Sequence, residues 1–349
     1  MKNLQNRSDL VFHLITSFLV TYTTFYIIYK WHTEINWDDL IAASQGVLDG
    51  RPHWKAYQNR LLMPFIISQF EYMMSQKNAF LFVYFVGIFI HNLTFLICFS
   101  KIFSRTIVSV AIIFWSFLFI LHQNYWFYPW DIFDISLYLL IWYILYSKNY
   151  VNFLLIIFPL ALLNRESALF LPIAYWLVKI KFKNEADLKS VFFTIWSHIW
   201  SKTTLISIIF VIAGVVWTLF IRDYLFIERS VQYDGKIMSL VDVDDTRHHL
   251  IGNHFNFLMN LKLLLIENWM TPNFIFSIIS LFFIKISITN IFSKNNLMPK
   301  ITSFFYIIIL LNILIFGVFN ETRMHFVLFG YYLLYTSLII SKEIKITNK

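Results

Sequence analysis

The sequence predicts an all-α fold, a polytopic transmembrane helical bundle of about ten spans with both termini cytoplasmic. Three observations predict it. Hydrophobic residues make up 58% of the 349 residues, charged residues make up 14% and mean hydropathy is +0.64, too few polar residues to cover a soluble globule. Apolar runs recur along the whole chain, and lysines and carboxylates separate between alternate loops. We therefore expect residues 1–349 to form a single integral membrane domain.

The apolar runs give the spans in chain order. They cover residues 10–30, 79–100, 106–123, 134–147, 150–163, 167–178, 204–221, 273–292, 301–319 and 325–340. No small-residue cleavage site follows the first run, so we expect a retained helix and not a signal peptide. The runs between residues 134 and 178 are shorter than the roughly 20 residues that crossing requires. Tilted or re-entrant helices lining a cavity are expected there.

The basic loops orient the bundle. The positive-inside rule places Lys2, Arg7 and the lysine-rich loops in the cytoplasm. Most of the 20 carboxylates then fall on the extracytoplasmic face, and we expect the chemistry to lie there. This face has two large loops, residues 31–76 and 222–272, each with a predicted interfacial helix, at 61–74 and 255–269. Such helices can flank the entrance for a lipid substrate.

Charge and cysteine content exclude some classes of protein. The net charge of +8 is spread along loops and not clustered in one patch, which argues against nucleic-acid binding and fits an anionic membrane surface. The single cysteine, Cys98, lies in an apolar run and excludes an internal disulfide or a cysteine-based metal site.

The first loop combines two adjacent carboxylates with a later basic segment. Asp38 and Asp39 follow the first span, and Arg60 ends the segment Tyr57-Gln58-Asn59-Arg60. Repulsion between adjacent carboxylates can raise one pKa enough for a general base, or can prepare a divalent cation site. The alternative is that Asp38 is the N-cap of a helix beginning near Leu40.

A second acidic pair, Asp131 and Asp134, stands where the third span ends and the fourth begins. Ionisable groups so close to the hydrocarbon usually face an aqueous cavity. The two are three residues apart and share a helical face if the turn is helical. N-capping by Asp131 is the alternative.

The segment Asn164-Arg165-Glu166-Ser167 interrupts two short apolar runs. A charged pair at membrane depth needs partners or water. Arg165 can hold a phosphate through its guanidinium fork, and Glu166 can orient that phosphate or accept a proton. A self-contained structural ion pair is the alternative.

Asn320-Glu321-Thr322-Arg323-Met324-His325 places charges between the last two spans. Glu321 and Arg323 are two residues apart and do not face each other on a helix, so we expect each to contact other elements. A histidine alone, such as His325, is more often an interfacial residue with satisfied hydrogen bonds than a catalyst.

Together these features resemble the C-type (GT-C) membrane glycosyltransferases, which use polyprenyl-phosphate-linked sugars as donors. The shared features are an aspartate just after the first span, short middle spans, an Arg-Glu element and a Glu-x-Arg element near the C-terminus. The resemblance covers most of the chain as architecture, but the first loop has no clear Asp-x-Asp or Glu-x-Asp pair and no large soluble C-terminal domain follows.

The resemblance implies that Asp38 or Asp39 takes the position of the catalytic base, and that Arg165, Arg323 or Arg60 contacts the lipid phosphate. The predicted catalytic residues are Asp38, Asp39, Asp131 and Glu166. The predicted substrate-binding residues are Arg60, Asp134, Arg165, Glu321, Arg323 and His325.

The implied reaction moves a sugar from a polyprenyl-phosphate-linked donor to a hydroxyl of a glycan or lipid acceptor on the extracytoplasmic face. The expected setting is a bacterial inner membrane, with the active site facing outward and cell-envelope glycan as the product. Membrane lipids are further expected partners. Mg²⁺ or Mn²⁺ is the candidate cofactor, and the sequence leaves the need for it open.

Three rival functions remain at this stage. A lipid-linked glycan transporter or flippase would need polar residues through the bilayer, whereas the charges here gather at one face. A membrane oligosaccharide polymerase or ligase would also use arginines and acids on lipid-linked substrates. A purely structural membrane subunit is the third.

Overall fold

The computed structural model describes residues 2–52, 57–122, 127–180, 188–227, 256–271, 273–293, 297–317, 319 and 322–347. Every regular element in this part of the chain is helical. Its α-helices are α1 (Lys2–Ile28), α2 (Trp37–Gln45), α3 (Leu62–Glu71), α4 (Gln76–Phe99), α5 (Arg105–Leu121), α6 (Pro129–Ser147), α7 (Phe153–Ile156), α8 (Phe158–Leu162), α9 (Phe170–Lys179), α10 (Leu188–Ile199), α11 (Lys202–Leu225), α12 (Phe257–Leu265), α13 (Phe274–Ile291), α14 (Leu297–Phe316) and α15 (Phe329–Thr347). The predicted all-α class is therefore confirmed for the described residues.

Seven of the described helices are long and apolar enough to cross a membrane: α1, α4, α6, α11, α13, α14 and α15. The 17-residue helix α5 is apolar but shorter. Apolar side chains such as Phe18 and Leu205 are exposed on these helices, whereas Thr21 and Asn92 are buried. This inversion of the soluble pattern is expected when lipid surrounds the helices. The helices indicate an integral membrane protein.

The short middle segments explain why the predicted ten spans are not confirmed. Residues 150–178 form α7, α8, a 3₁₀ turn at Glu166–Leu169 and α9, none of which is long enough to cross alone. Left-handed backbone at Lys148 (φ 56°) and Tyr150 (φ 59°) separates this region from α6. The predicted run 134–147, in contrast, is part of a 19-residue helix. The orientation of both termini stays a prediction.

Contacts divide the chain into two compact units. The first comprises Met1–Gln45, Met63–Tyr143 and His325–Lys349, and the second comprises Gly46–Leu62 and Ile144–Met324. We call them unit 1 and unit 2. The prediction of a single membrane domain is not tested by this division.

Hydrogen bonds from buried side chains join the helices of unit 1 to one another. Asn92 Nδ2 donates to Thr21 Oγ1 at 2.9 Å and joins α4 to α1. Trp142 Nε1 donates to the Val327 carbonyl at 2.9 Å. A Cβ on Gly330 would lie 2.4 Å from Trp142 Cδ1, so glycine permits the close packing of α15 on α6.

In unit 2, α11 packs on α9 and α13 packs on α14. The helices predicted at 61–74 and 255–269 correspond to α3 and α12, although their interfacial position stays a prediction. Buried Asn260 of α12 donates to the carbonyls of Leu314 (2.9 Å) and Gly317 (2.8 Å), and its Oδ1 accepts from Phe319 N (2.8 Å). Asn260 thus satisfies backbone groups that the end of α14 leaves unpaired.

Candidate functional site

Glu166 is the centre of a cluster of charged side chains in unit 2. Its Oε1 lies 3.3 Å from Arg60 Nη2 and 3.4 Å from Arg222 Nη2, and its Oε2 accepts from Asn59 Nδ2 at 3.3 Å. Arg165 precedes it on extended backbone (φ −167°, ψ 150°) and is also buried. We call Arg60, Arg165, Glu166 and Arg222 the arginine cluster. Its guanidinium groups outnumber its carboxylate.

Three segments of the chain meet at the arginine cluster. The amide of Leu62 donates to the Leu163 carbonyl at 2.8 Å, which places the first-loop segment beside the turn before Glu166. The amide of Ile227 donates to the Gly50 carbonyl at 2.8 Å, which holds the end of α11 against the same loop. Gly50 has φ +69°, and a Cβ there would lie 2.3 Å from the Leu225 carbonyl oxygen. Only glycine fits this position without strain.

Several contacts fix the position of Arg60 and its neighbouring residues. Its guanidinium lies 3.9 Å from the ring centroid of Tyr57, and its amide donates to the Tyr57 carbonyl at 2.9 Å. The neighbouring Gln58 Nε2 donates to the Val47 carbonyl at 2.9 Å. Cation–π stacking and these backbone contacts pre-organise the guanidinium fork.

The electrostatics of the cluster favour an ionised Glu166. Burial alone would raise the pKa of this carboxyl, but the nearby Arg60, Arg222 and Arg165 outweigh burial and lower the pKa to about 2. The side chains of Arg60 and Arg222 are each 5% exposed, whereas the Glu166 side chain is 29% exposed. Glu166 is therefore an ionised counter-ion of the arginines and the more exposed member of these two ion pairs.

Asp38 and Asp39 have different surroundings. The first span passes through a π-helical turn (Tyr29–Thr33) and a 3₁₀ turn (Glu34–Asn36) into α2, which begins at Trp37. Both aspartates lie in the first turn of α2 and are exposed, and neither makes a hydrogen bond or ion pair within the described part of the chain. The alternative of an N-cap for a helix starting near Leu40 is wrong, because the helix starts three residues earlier.

Trp37 anchors this turn in unit 1. It is buried, and its ring packs edge-on against Tyr29 (5.5 Å between ring centroids) and Phe80 (5.2 Å). Aromatic packing of this kind fixes the first turn of α2, so that the two carboxylates project from a rigid base.

Asp131 and Asp134 are both buried at the start of α6. Asp131 Oδ2 accepts from the amide of Tyr128 at 3.0 Å, and Pro129 is the first residue of α6. Asp131 therefore reaches back from the third helical position, as in a capping box, and is not itself the N-cap. One oxygen of the Asp131 carboxylate, Oδ2, is therefore used in this hydrogen bond.

The structure brings together some predicted site residues and leaves others untested. Arg60, Arg165 and Glu166 share one cluster in unit 2, whereas Asp38, Asp39, Asp131, Asp134 and His325 belong to unit 1. His325 is buried, with its ring 5.9 Å from that of His122. Glu321 lies outside the described residues, and only the backbone of Arg323 is described.

Two residues of the site were not predicted from the sequence. Arg222 is the first residue of the predicted loop 222–272, and Asn59 lies in the segment Tyr57-Gln58-Asn59-Arg60, but the sequence alone assigns a role to neither. The signal for Arg222 is its place beside Asp223 in the last turn of a largely apolar 24-residue helix, because charged residues there require partners. Nothing in the sequence marks Asn59.

No group of three or more histidine, cysteine, aspartate or glutamate side chains among the described residues could hold a metal ion. Comparison of the chain with protein-family models, with curated proteins and with solved structures gives no match. The function must therefore be inferred from the chain's own residues.

Proposed function

We propose that the chain is a membrane glycosyltransferase of the GT-C type, which moves a sugar from a polyprenyl-phosphate-linked donor to an acceptor hydroxyl on the extracytoplasmic face. The observation that carries this proposal is the arginine cluster, in which Arg60 and Arg222 contact Glu166 and the nearby charge of Arg165 also lowers the pKa of that carboxyl. The cluster joins loop segments to the end of an apolar helix, α11.

The cluster suits a phosphate for reasons of charge and geometry. Guanidinium forks match phosphate oxygens in pairs, and charge-assisted bonds of this kind are about twice as strong as neutral ones. The bonds to Glu166, at 3.3 and 3.4 Å, are long for charge-assisted contacts. We assign Glu166 as a resident counter-ion whose place a phosphate takes in part when the donor binds.

Asp38 or Asp39 supplies the base. One of these carboxylates accepts the proton of the acceptor hydroxyl while that oxygen attacks the anomeric carbon of the sugar. The bond between the anomeric carbon and the phosphate oxygen breaks, and its electron pair leaves with polyprenyl phosphate. Guanidinium groups of the kind found in the arginine cluster stabilise charge on such a leaving group.

Glu166 is less suited than Asp38 or Asp39 to act as the base. A carboxylate with a pKa near 2 is a weak proton acceptor, because three guanidinium groups stabilise its charged form. Asp38 and Asp39 are exposed and make no ion pair among the described residues, which leaves their oxygens available to a hydroxyl. Glu166 therefore positions the arginines.

The test is sugar transfer by the purified full-length protein in liposomes. A panel of radiolabelled polyprenyl-phosphate-linked sugars is offered together with glycan and lipid acceptors, and free polyprenyl phosphate and labelled product are measured. The proposal predicts that both products appear in equal amounts and that the Asp38→Asn/Asp39→Asn double variant forms neither.

Two results would overturn the proposal. Full transfer by the double variant would remove the assigned base. Movement of intact donor across the bilayer, without release of polyprenyl phosphate, would indicate a transporter instead of a transferase.

A further inference from the structure

Helix α10 exposes a stripe of aromatic side chains. Its side chains are described from Phe193 onward, and Phe193, Trp196 and Trp200 are 70%, 56% and 84% exposed. Phe193 and Trp196 are three residues apart and share one side of α10, and Trp200 directly follows the last residue of the helix, exposed Ile199. A surface of this kind on a helix of only 12 residues requires an occupant.

The C-terminal end of α10 is joined to neighbouring helices of unit 2. Trp176 Nε1 of α9 donates to Thr204 Oγ1 of α11 at 2.8 Å, and Thr204 Oγ1 in turn donates to the carbonyl of His198 at 2.6 Å. The ring of His198 lies 6.1 Å from that of Trp176. Because this junction holds the end of α10, it restricts rotation of the helix about its axis and so fixes the orientation of the aromatic stripe.

Helix α10 directly precedes a long apolar helix in the chain. Only two residues separate its end at Ile199 from Lys202, where the apolar helix α11 begins. Ser201 caps α11, with its side chain accepting from the amide of Thr204 at 3.2 Å. The aromatic stripe is thus continuous along the chain with a helix that is apolar enough to span a bilayer.

Basic residues flank the aromatic stripe. Lysine occupies positions 179, 181, 183, 189 and 202, against two acids, Glu185 and Asp187. Lys179 ends α9 and Lys202 begins α11, so positive charge lies on both sides of α10 along the chain. Positive residues beside an amphipathic helix favour an anionic lipid surface.

We infer that α10 lies in the plane of the membrane and binds the surface of an anionic leaflet. Phe193, Trp196 and Trp200 enter the boundary between headgroups and acyl chains, and the flanking lysines contact lipid phosphates. Tryptophan suits this boundary because its ring is apolar and its N–H is polar. This inference is independent of the proposed glycosyl transfer, since it uses none of the residues assigned to that reaction.

The test measures the depth of a nitroxide label in the full-length protein. Trp200→Cys is labelled in a Cys98→Ser background and reconstituted in phosphatidylcholine, with or without about 30% phosphatidylglycerol. Collision rates with oxygen and with a water-soluble nickel complex give the depth. We expect the label about 5–10 Å below the headgroup surface, deeper in the anionic bilayer, with this difference lost in 1 M salt.

A matched pair of lysine variants tests the role of charge. Lys181→Gln/Lys183→Gln/Lys189→Gln should abolish the dependence of depth on anionic lipid, whereas Lys342→Gln/Lys345→Gln/Lys349→Gln removes the same charge elsewhere and should preserve it. A label that collides freely with nickel in both bilayers would overturn the inference. So would a label shielded from both reagents with spin–spin broadening, because a second copy of the chain would then cover the stripe.

Discussion

Two carboxylate sites of this protein have opposite surroundings. Asp38 and Asp39, in the first turn of α2, are exposed and make no ion pair among the described residues. Glu166, in contrast, contacts Arg60 and Arg222 and has its pKa lowered to about 2 against the effect of burial. The same functional group is thus available to a substrate at one place and engaged by the protein at the other.

The different surroundings of these carboxylates indicate which role each site can have. An unpaired carboxylate contributes little to folding but can accept a proton or a hydrogen bond from a substrate. A carboxylate that contacts buried arginines contributes to folding, and its replacement removes an opposite charge from their surroundings. Substitutions at the two sites should therefore separate activity from stability.

The largest effect is expected at the first site. Asp38→Asn or Asp39→Asn should lower the transfer rate by about 100- to 10,000-fold, because the proposed general base is lost. Thermal stability should change by less than about 0.5 kcal/mol, since both side chains are exposed. Asp49→Asn, at another exposed acid, serves as control and should keep full activity. Full activity in both variants would leave α2 without a catalytic role.

Glu166→Gln should reverse this pattern. It removes the carboxylate that contacts two buried guanidinium groups and should lower the free energy of unfolding by about 3 kcal/mol. Added polyprenyl phosphate should raise the melting temperature of the variant more than that of the wild type, because the ligand replaces the missing charge. Thermal unfolding in detergent measures both.

The control for this prediction is an exposed ion pair. Glu34→Gln breaks the bond to Lys30, in which both side chains are 43% exposed, and should cost less than about 1 kcal/mol. Equal losses in the Glu34 and Glu166 variants would show that the arginine cluster does not stabilise the fold.

Gly50→Ala tests how the arginine cluster is held together. An alanine would have to adopt φ +69° with its Cβ 2.3 Å from the Leu225 carbonyl oxygen, so we expect a loss of about 2 kcal/mol. Gly87→Ala, where the nearest atom would be a methyl carbon of Ile132 at 3.0 Å, should cost less than half as much. Comparable losses in the two variants would contradict a special requirement for glycine at position 50.

The smallest effect concerns pH. The lowered pKa of Glu166 means that its contribution to stability is complete above pH 4.5 and is lost as pH falls toward 2. The difference in unfolding free energy between the wild type and Glu166→Gln should therefore be constant from pH 8 to pH 5 and shrink below pH 4.5. A difference that shrinks already near pH 6 would contradict this assignment.

The sequence predicted the long helices because their apolar runs exceed the length needed to span a bilayer. The ends of α4, α5, α11 and α13 lie within a few residues of the predicted boundaries. The region of residues 134–178 was harder, since apolar content alone does not reveal where the chain turns. The left-handed residues Lys148 and Tyr150 and the extended Arg165 set these breaks, and their sequence signals are weak.

The sequence predicted some residues of the arginine cluster but not the contacts between them. Charged residues within apolar runs pointed to Arg165 and Glu166, because such residues need partners. The partners themselves lie 106 positions before Glu166, at Arg60, and in the last turn of α11, at Arg222. Spacing along the chain carries no information about contacts over such separations, which the backbone bonds at Gly50 and Leu62 determine.

The most direct test of the account is binding of polyprenyl phosphate to the full-length protein in nanodiscs. Arg222→Ala should weaken binding by about 10- to 100-fold, as expected for a lost charge-assisted contact, and Arg222→Lys should fall between that variant and the wild type. Asp38→Asn should bind as the wild type does. Unchanged affinity in Arg222→Ala, or an equal loss in Asp38→Asn, would contradict the assignment of the arginine cluster as the phosphate site.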